Sequence, residues 1–146
     1  MKPIKRRRQR GTVLMEFALT LPLLVLIIMV VLEGSSLVRT HQVLNNAARE
    51  GARLAVQTPG ITSSDVSTEV VAYASQNGVT VPAGNVTYNG GFFIPTPSGI
   101  SISATKVTVT YTYTMHYLGV FAWLGVPSTY PLTGQAVFRN FATTTT

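Results

Sequence analysis

The chain has 146 residues, and only 11% of them are charged, whereas about a quarter are charged in ordinary soluble domains. It has no cysteine, which excludes a disulfide framework, a thiolate zinc site and a cysteine nucleophile. Two histidines and five acidic residues offer little material for acid–base catalysis or metal ligation. We therefore expect one modest domain that is not an enzyme and has no catalytic residue, no metal site and no cofactor.

The positive charge is concentrated at the N-terminus. The formal net charge is +6, and the first ten positions hold six basic residues and no acid: Lys2, Lys5, Arg6, Arg7, Arg8 and Arg10. From Thr12 onward, five basic residues balance five acidic ones. A nucleic-acid-binding domain would spread its basic residues over a folded face. We therefore expect no nucleic-acid partner, and we expect no small-molecule substrate either.

Residues 12–32 are long and apolar enough to cross a bilayer. Sixteen uncharged residues run from Phe17 to Leu32, and counting from Thr12 the stretch has 21 residues. As a helix it would be about 31 Å long, close to the ~30 Å hydrocarbon core of a bilayer. The basic leader predicts a cytoplasmic N-terminus and an exported C-terminal domain, because positive flanks stay inside.

Three interpretations of this N-terminus are open. A cleaved secretory signal needs small residues at its cleavage site, but the apolar run ends in Val31-Leu32-Glu33-Gly34-Ser35-Ser36. An uncleaved signal anchor explains the apolar run but leaves Glu16 inside it unexplained. An ionised Glu at depth in the membrane costs several kcal/mol and marks a functional residue by default, unless it is shallow enough to reach the headgroups.

The third interpretation uses the segment Arg10-Gly11-Thr12-Val13-Leu14-Met15-Glu16-Phe17. It resembles the cleavage site of type IV prepilins and pseudopilins. The resemblance implies that a membrane aspartyl peptidase recognises Gly11, Thr12, Glu16 and Phe17 and cuts on the cytoplasmic side after Gly11. Glu16 then lies about 6 Å along the helix from the new α-amino group of Thr12. A carboxylate there can neutralise that amine, in its own chain or in a neighbour.

Two sequence blocks together indicate a resemblance to a more specific family. Glu16-Phe17-Ala18-Leu19-Thr20-Leu21-Pro22-Leu23-Leu24 precedes an aliphatic run, and Ala47-Ala48-Arg49-Glu50-Gly51-Ala52-Arg53-Leu54-Ala55 follows one helix-length on. This pair resembles the opening of TadE-like proteins, minor pseudopilins of the tight-adherence (Tad/Flp) pilus machinery of bacteria. The resemblance covers residues 11–55. It implies a non-enzymatic function in pilus assembly, with the cytoplasmic membrane, a prepilin peptidase, other pilins and assembly-platform proteins as partners.

The sequence predicts one long helix from Thr12 to Gln57, stopped by Thr58-Pro59-Gly60 because a proline disfavours helix in the residue before it. Small residues recur four apart along its second half, which lets another backbone approach closely. We interpret this block as a helix-packing motif consisting of Ala47, Ala48, Arg49, Glu50, Gly51, Ala52 and Arg53. Both the chain's own sheet and a neighbouring subunit are open as the surface it packs on.

Beyond the break, Thr62 to Asn77 predicts a second helix, capped by Thr62 or Ser63. Strands are predicted at 79–81, 85–88, 106–117 and 132–140, and residues 89–99, rich in Gly and Pro, are predicted to form a loop with Phe92 and Phe93 at its tip. The third strand alternates aliphatic or aromatic residues with Thr, which is typical of a sheet with one buried face. Residues 118–127 are apolar and either pack in a hairpin or contact lipid or a partner.

The predicted fold is therefore α+β and pilin-like: a long N-terminal transmembrane helix that continues outside the membrane, a short second helix and a small antiparallel sheet. We expect a basic leader at 1–11, the long helix at 12–57 with its membrane span at about 12–32, an exported domain at 58–142 and a disordered tail at 143–146. Two alternatives to the pseudopilin stay open: an uncleaved single-pass subunit of the pilus or secretion machinery, and a surface adhesive or binding module that uses the Phe92–Phe93 segment.

Overall fold

The computed structural model describes residues 7–97, 99 and 101–140, with side chains described from Gly11 onward. The predicted tail at 143–146 and most of the predicted leader lie outside these residues. The elements in chain order are helix α1, helix α2, a short 3₁₀ helix, strands β1 and β2, a second 3₁₀ helix and strand β3. Their bounds are Arg7–Gln57, Ser63–Gln76, Ala83–Asn85, Val86–Pro95, Ser101–Thr114, Leu118–Leu124 and Thr129–Arg139. This arrangement confirms the predicted α+β fold.

Helix α1 is 51 residues long and contains Pro22. It begins at Arg7 and not at Thr12, because the Arg and Gln residues before Gly11 favour helix and no proline interrupts them. It ends at Gln57, as the sequence predicts, just before the Thr58-Pro59-Gly60 break. Pro22 cannot donate a backbone hydrogen bond, but apolar membrane helices tolerate such a gap.

The chain divides into two compact units. The first contains the part of α1 up to Ser36 and the loop Met115–Ser128, and the second contains Leu37–Thr114 and the chain from Thr129 onward. The hydrophobic core lies in the second unit. Its fully buried residues come from α1, α2 and β2 and include Leu44, Ala47, Ala48, Ala52, Val66, Val70, Ala74, Val107 and Val109.

Small residues allow the backbones of the second unit to approach closely. A Cβ atom on Gly51 of α1 would overlap the Val70 side chain and lie 3.3 Å from Val66 in α2. A Cβ atom on Gly134 of β3 would lie 2.8 Å from the Asn45 backbone nitrogen of α1. Glycine is therefore required at both positions by the packing of α1 on α2 and on the sheet.

The sheet is antiparallel with β2 in the centre, in the order β1-β2-β3. Val107 pairs with Tyr88 on one side and with Ala136 on the other. The predicted alternation holds along the centre of β2, where Val107 and Val109 are buried and Thr110 and Thr112 are exposed. The strand begins earlier and ends earlier than predicted, at Ser101 and Thr114.

The largest difference between the sequence-based prediction and the structure is in strand β1. Residues 89–99 were expected to form a loop, but β1 runs from Val86 to Pro95 and pairs with β2 across an irregularity between Asn89 and Phe92. The two glycines between them fit such a bulge, and Pro95 is tolerated as the last residue of an edge strand. Lys106 Nζ lies 5.3 Å from the centre of the Phe92 ring, so Phe92 is not at the tip of a loop.

Two further predictions for this region have different outcomes. Residues 79–81 form no strand in the structure, although Val79 and Val81 are buried; they are buried by packing and not by pairing in a sheet.

The predicted Thr62 cap of the second helix is confirmed. The Thr62 hydroxyl accepts a hydrogen bond from the Asp65 backbone N–H at 3.3 Å, and an Asp65 carboxylate oxygen accepts one from the Thr62 N–H at 3.1 Å.

Candidate functional site

The first half of α1 presents an exposed apolar surface. In the part of the chain that the structure describes, one helix is long and apolar enough to cross a membrane, and none of its most apolar segment is buried. Leu14 and Leu19, for example, are 68% and 79% exposed. Because the core helix of a soluble domain would be largely buried, this exposed apolar surface fits a helix that could span a membrane.

The residues of the prepilin-like segment lie on successive turns at the start of this surface. Gly11, Thr12, Glu16 and Phe17 are all exposed. Thr12 and Glu16 are four residues apart on one helix, so they share a face. A Cβ atom on Gly11 would meet nothing within 4 Å, so the fold does not require glycine there. Their recognition by a peptidase stays a prediction.

The predicted helix-packing motif lies in the second unit and divides into two faces. Ala47, Ala48 and Ala52 are fully buried and Gly51 contacts α2, whereas Arg49 and Arg53 are exposed. Arg53 Nε donates to Glu50 Oε2 at 3.1 Å, and a second Arg53 nitrogen forms an ion pair with Glu50 Oε1. This hydrogen bond lowers the pKa of the Glu50 carboxyl below its ordinary value. A role of the motif in contacts with other subunits stays a prediction.

The sequence analysis missed one site, the carboxylate of Glu33. It is only 3% exposed, and it accepts hydrogen bonds from three successive backbone N–H groups in the first unit. His116 donates to Oε1 at 3.2 Å, and Tyr117 and Leu118 donate to Oε2 at 2.7 and 3.1 Å. A buried carboxylate is costly without such partners, and the first N–H groups of a helix need an acceptor. The Glu33 carboxylate and the N–H groups at the start of the second 3₁₀ helix therefore supply each other's hydrogen-bond partners.

No local pattern could have paired Glu33 with this loop, because 83 to 85 residues separate it from its partners. The feature of the sequence that could have pointed to Glu33 is its position in the chain. Glu33 is the first charged residue after the apolar run, and a second uncharged apolar segment follows much later at 118–127.

The loop Met115–Ser128 connects β2 to β3 and belongs to the first unit. Its ends are joined by a hydrogen bond from the Met115 N–H to the Ser128 carbonyl at 2.9 Å. The 3₁₀ helix inside it ends at Gly125, whose φ of 85° is left-handed. None of the residues in that helix is buried, so the loop does not pack into a hairpin core, the first of its two predicted arrangements.

Within the described residues, no group of three or more His, Asp or Glu side chains is placed to hold a metal ion. The features that stand out are instead an exposed apolar helix, a small α+β domain and an acidic residue in the apolar stretch. Together they define the class of a protein with one membrane-capable N-terminal helix.

Residues 11–53 match the family model described as TadE-like protein. The match begins at Gly11 and ends at Arg53, so it includes the whole first block and the second block up to Arg53, and it confirms the family resemblance over this range. The TadE-like family is a structural, pilus-related family that is not known as enzymatic. With the apolar helix, the match supports a Tad pilus-related membrane protein. No curated protein and no solved structure matched the chain.

Proposed function

We propose that the chain is a minor pseudopilin that helps to assemble or prime a Tad-type pilus and catalyses no reaction. It is anchored in the cytoplasmic (inner) membrane of a bacterium by residues 12–32, with its N-terminus in the cytoplasm and its C-terminal domain outside, in the periplasm or beyond the cell. A prepilin peptidase cuts it after Gly11, and it then assembles with other pilins and the assembly platform. The observation that carries this proposal is the TadE-like match that begins at Gly11.

The environment of Gly11 supports processing at this residue. Glycine in a helix interior costs about 1 kcal/mol relative to alanine. At Gly51 of the same helix the packing explains this cost, whereas at Gly11 and Gly34 a Cβ atom would meet nothing within 4 Å. A peptidase that accepts only the smallest residue would account for a glycine at Gly11, which lies inside the prepilin-like segment.

The environment of Glu16 supports assembly by helix packing. Its neighbours Leu14, Met15, Phe17 and Leu19 are exposed apolar side chains. Among residues 11–97, 99 and 101–140, nothing pairs with its carboxylate. Cleavage creates a positive α-amino group on Thr12 and removes the six basic residues of the leader. When several such helices gather in lipid, the carboxylate of one chain can neutralise the amine of the same or the next chain.

The mature N-terminus tests the processing step. Mass spectrometry of the membrane fraction should find a chain that starts at Thr12 when the cognate prepilin peptidase is present, and the full chain when it is absent. Gly11→Leu should abolish cleavage. Its matched control is Val13→Leu, which changes an exposed residue two positions away and should be cleaved normally. A wild-type chain that keeps residues 1–11 would favour the uncleaved subunit, and a start near Ser35 would indicate a secreted domain.

The Glu16→Gln variant tests assembly separately from processing. The amide has the same shape but no charge, so we expect membrane insertion to continue while pilus formation is lost. Mass spectrometry of the mature N-terminus in the same variant separates a failure of assembly from a failure of cleavage. Thr20→Val, one turn along the same exposed helix, is the matched control and should form pili. Normal piliation of Glu16→Gln would contradict the proposed pairing of charges.

A further inference from the structure

The loop Met115–Ser128 exposes large apolar side chains that the fold does not cover. Val120, Trp123 and Leu124 are 62%, 78% and 61% exposed, and no residue from Leu118 to Pro127 is charged. A contiguous exposed apolar patch marks a surface that contacts a partner or a membrane. The question is therefore which of the two covers this loop.

Glu33 fixes the loop beside one end of the apolar helix. The 22 residues from Gly11 to Leu32 form about 33 Å of helix, which matches the ~30 Å hydrocarbon core. Glu33 is the next residue, so it lies where α1 leaves the hydrocarbon. Because its carboxylate holds the N–H groups of His116, Tyr117 and Leu118 within 3.2 Å, the start of the loop lies at that same level.

The composition of the loop fits a membrane interface. Tryptophan and tyrosine concentrate at the level of the lipid headgroups, where an apolar ring and a polar N–H or O–H are both accommodated. The loop has Trp123 in its 3₁₀ helix and Tyr117 at the start of that helix, with Val120 and Leu124 on the same exposed segment. The exposed apolar surface of the loop thus continues that of α1 within the first unit.

We propose that this loop is a second membrane contact, which inserts Val120, Trp123 and Leu124 into the lipid interface of the leaflet from which α1 emerges. The partner is the lipid surface itself, and the Glu33 carboxylate positions the loop without touching lipid. The proposal requires that α1 spans a membrane. It does not depend on cleavage after Gly11 or on pilus assembly, so it can fail or succeed independently of them.

The chain has a single tryptophan, which makes Trp123 an intrinsic probe of the loop. The experiment uses the full chain in vesicles of phosphatidylcholine and phosphatidylglycerol, with iodide present on both sides. Separate preparations contain lipids with bromine near the headgroup end or near the middle of the acyl chains. We expect blue-shifted emission, stronger quenching by the shallow bromines than by the deep ones, and little quenching by iodide.

Two other outcomes would overturn the proposal. Strong quenching by iodide with none by brominated lipid would place Trp123 in water. Blue-shifted emission that neither quencher reduces would show that protein covers the loop, either a second copy of this chain or another subunit.

Glu33→Gln tests the positioning role. The amide carries no negative charge, so we expect the loop to be held less firmly, with weaker shallow-bromine quenching and more iodide quenching of Trp123. Glu50→Gln changes another glutamate of α1, one that pairs with Arg53, and should leave both quenching values unchanged. Hydrogen exchange of the β2 amides establishes that each variant is folded. Unchanged quenching in folded Glu33→Gln would refute the positioning role, and the wild-type measurement tests the lipid contact even if that variant does not fold.

Discussion

Gly134 lies in β3 directly against the backbone of α1. A Cβ atom there would lie 2.6 Å from the Leu44 carbonyl oxygen and 2.8 Å from the Asn45 nitrogen. These are backbone atoms of a buried helix turn, so they cannot move aside as the end of a flexible side chain would. We therefore expect Gly134→Ala to destabilise the domain by about 3 kcal/mol, the upper part of the usual range for overpacking.

The measurement is thermal unfolding of the full chain in detergent, followed by near-ultraviolet circular dichroism of the tyrosines. A loss of that size corresponds to a Tm decrease on the order of 10 °C. The matched control is Gly84→Ala in the first 3₁₀ helix, where a Cβ atom would meet nothing within 4 Å; its Tm should be close to that of the wild type. Equal Tm values for the two variants would contradict the close packing of β3 on α1.

Two glutamates flank the apolar run, and only one could be interpreted from the sequence. Glu16 follows Gly11 at a spacing that a known cleavage-site pattern shares, so its neighbours in the chain indicate a role. Glu33 acts on N–H groups at least 83 residues away, and backbone N–H groups have no signature in the sequence. A contact of this kind becomes visible only when the fold brings the two segments together.

Helix α2 depends on a capping box formed by Thr62 and Asp65. The hydrogen bonds that the Thr62 hydroxyl and backbone N–H donate lower the pKa of the Asp65 carboxyl below its ordinary value. Thr62→Ala removes the side-chain cap, which is worth about 1 kcal/mol. We expect hydrogen exchange of the α2 amides to become about fivefold faster, as measured by mass spectrometry of the full chain in detergent.

The same capping box makes the stability of α2 depend on pH. Because the folded-state pKa of Asp65 is lowered, its contribution is fully present above the ordinary aspartate value of about 3.9 and is lost as the pH falls through the lower folded value. After correction for intrinsic exchange rates, the α2 amides should therefore lose protection in acid. Asp65→Asn should be less protected than the wild type at neutral pH, and the difference should shrink in acid. A constant difference at every pH would contradict this assignment.

The elements themselves were predictable to different degrees. The end of α1 and both ends of α2 are encoded by local signals, namely Pro59, Thr62 and Asn77, and they were placed correctly to within a residue. The start of strand β1 was also predicted, at 85–88, but its second half was not, because its Gly90-Gly91 pair and Pro95 are turn residues by local preference. Pairing with β2 overrides that preference, and the bulge between Asn89 and Phe92 absorbs the glycines. Pairing between distant strands is a tertiary effect that local composition does not report.

At the scale of the whole molecule, the distribution of charge along the chain bears on membrane orientation more than any single residue does. The six basic residues of the leader lie on one side of the apolar run, and the rest of the chain is neutral. Near an anionic membrane surface each basic residue contributes on the order of 1 kcal/mol. In the proposed orientation, with the N-terminus in the cytoplasm, these residues would lie at such a surface, and the exposed apolar half of α1 would drive the insertion.

This orientation can be measured because the chain has no cysteine, so that a single introduced thiol reports the location of the C-terminal domain. Gln76→Cys places it on the exposed end of α2. In spheroplasts a membrane-impermeant maleimide should label it before lysis. A variant in that background changes five basic residues to Asn at once: Lys5, Arg6, Arg7, Arg8 and Arg10. We expect a fraction of this variant to be labelled only after lysis, because the preference of the N-terminus for the cytoplasm is weakened.

The control for this experiment is Arg39→Asn, which removes an exposed basic residue on the far side of the apolar run. The positive-inside rule predicts that losing a positive charge from the exported flank does not increase the inverted fraction. A wild-type background that is labelled only after lysis would place the C-terminal domain in the cytoplasm, where it could not reach a pilus on the outer side of the membrane. The proposed function would then be wrong even though the TadE-like match remains, since the match covers residues 11–53 and does not determine which way α1 crosses the bilayer.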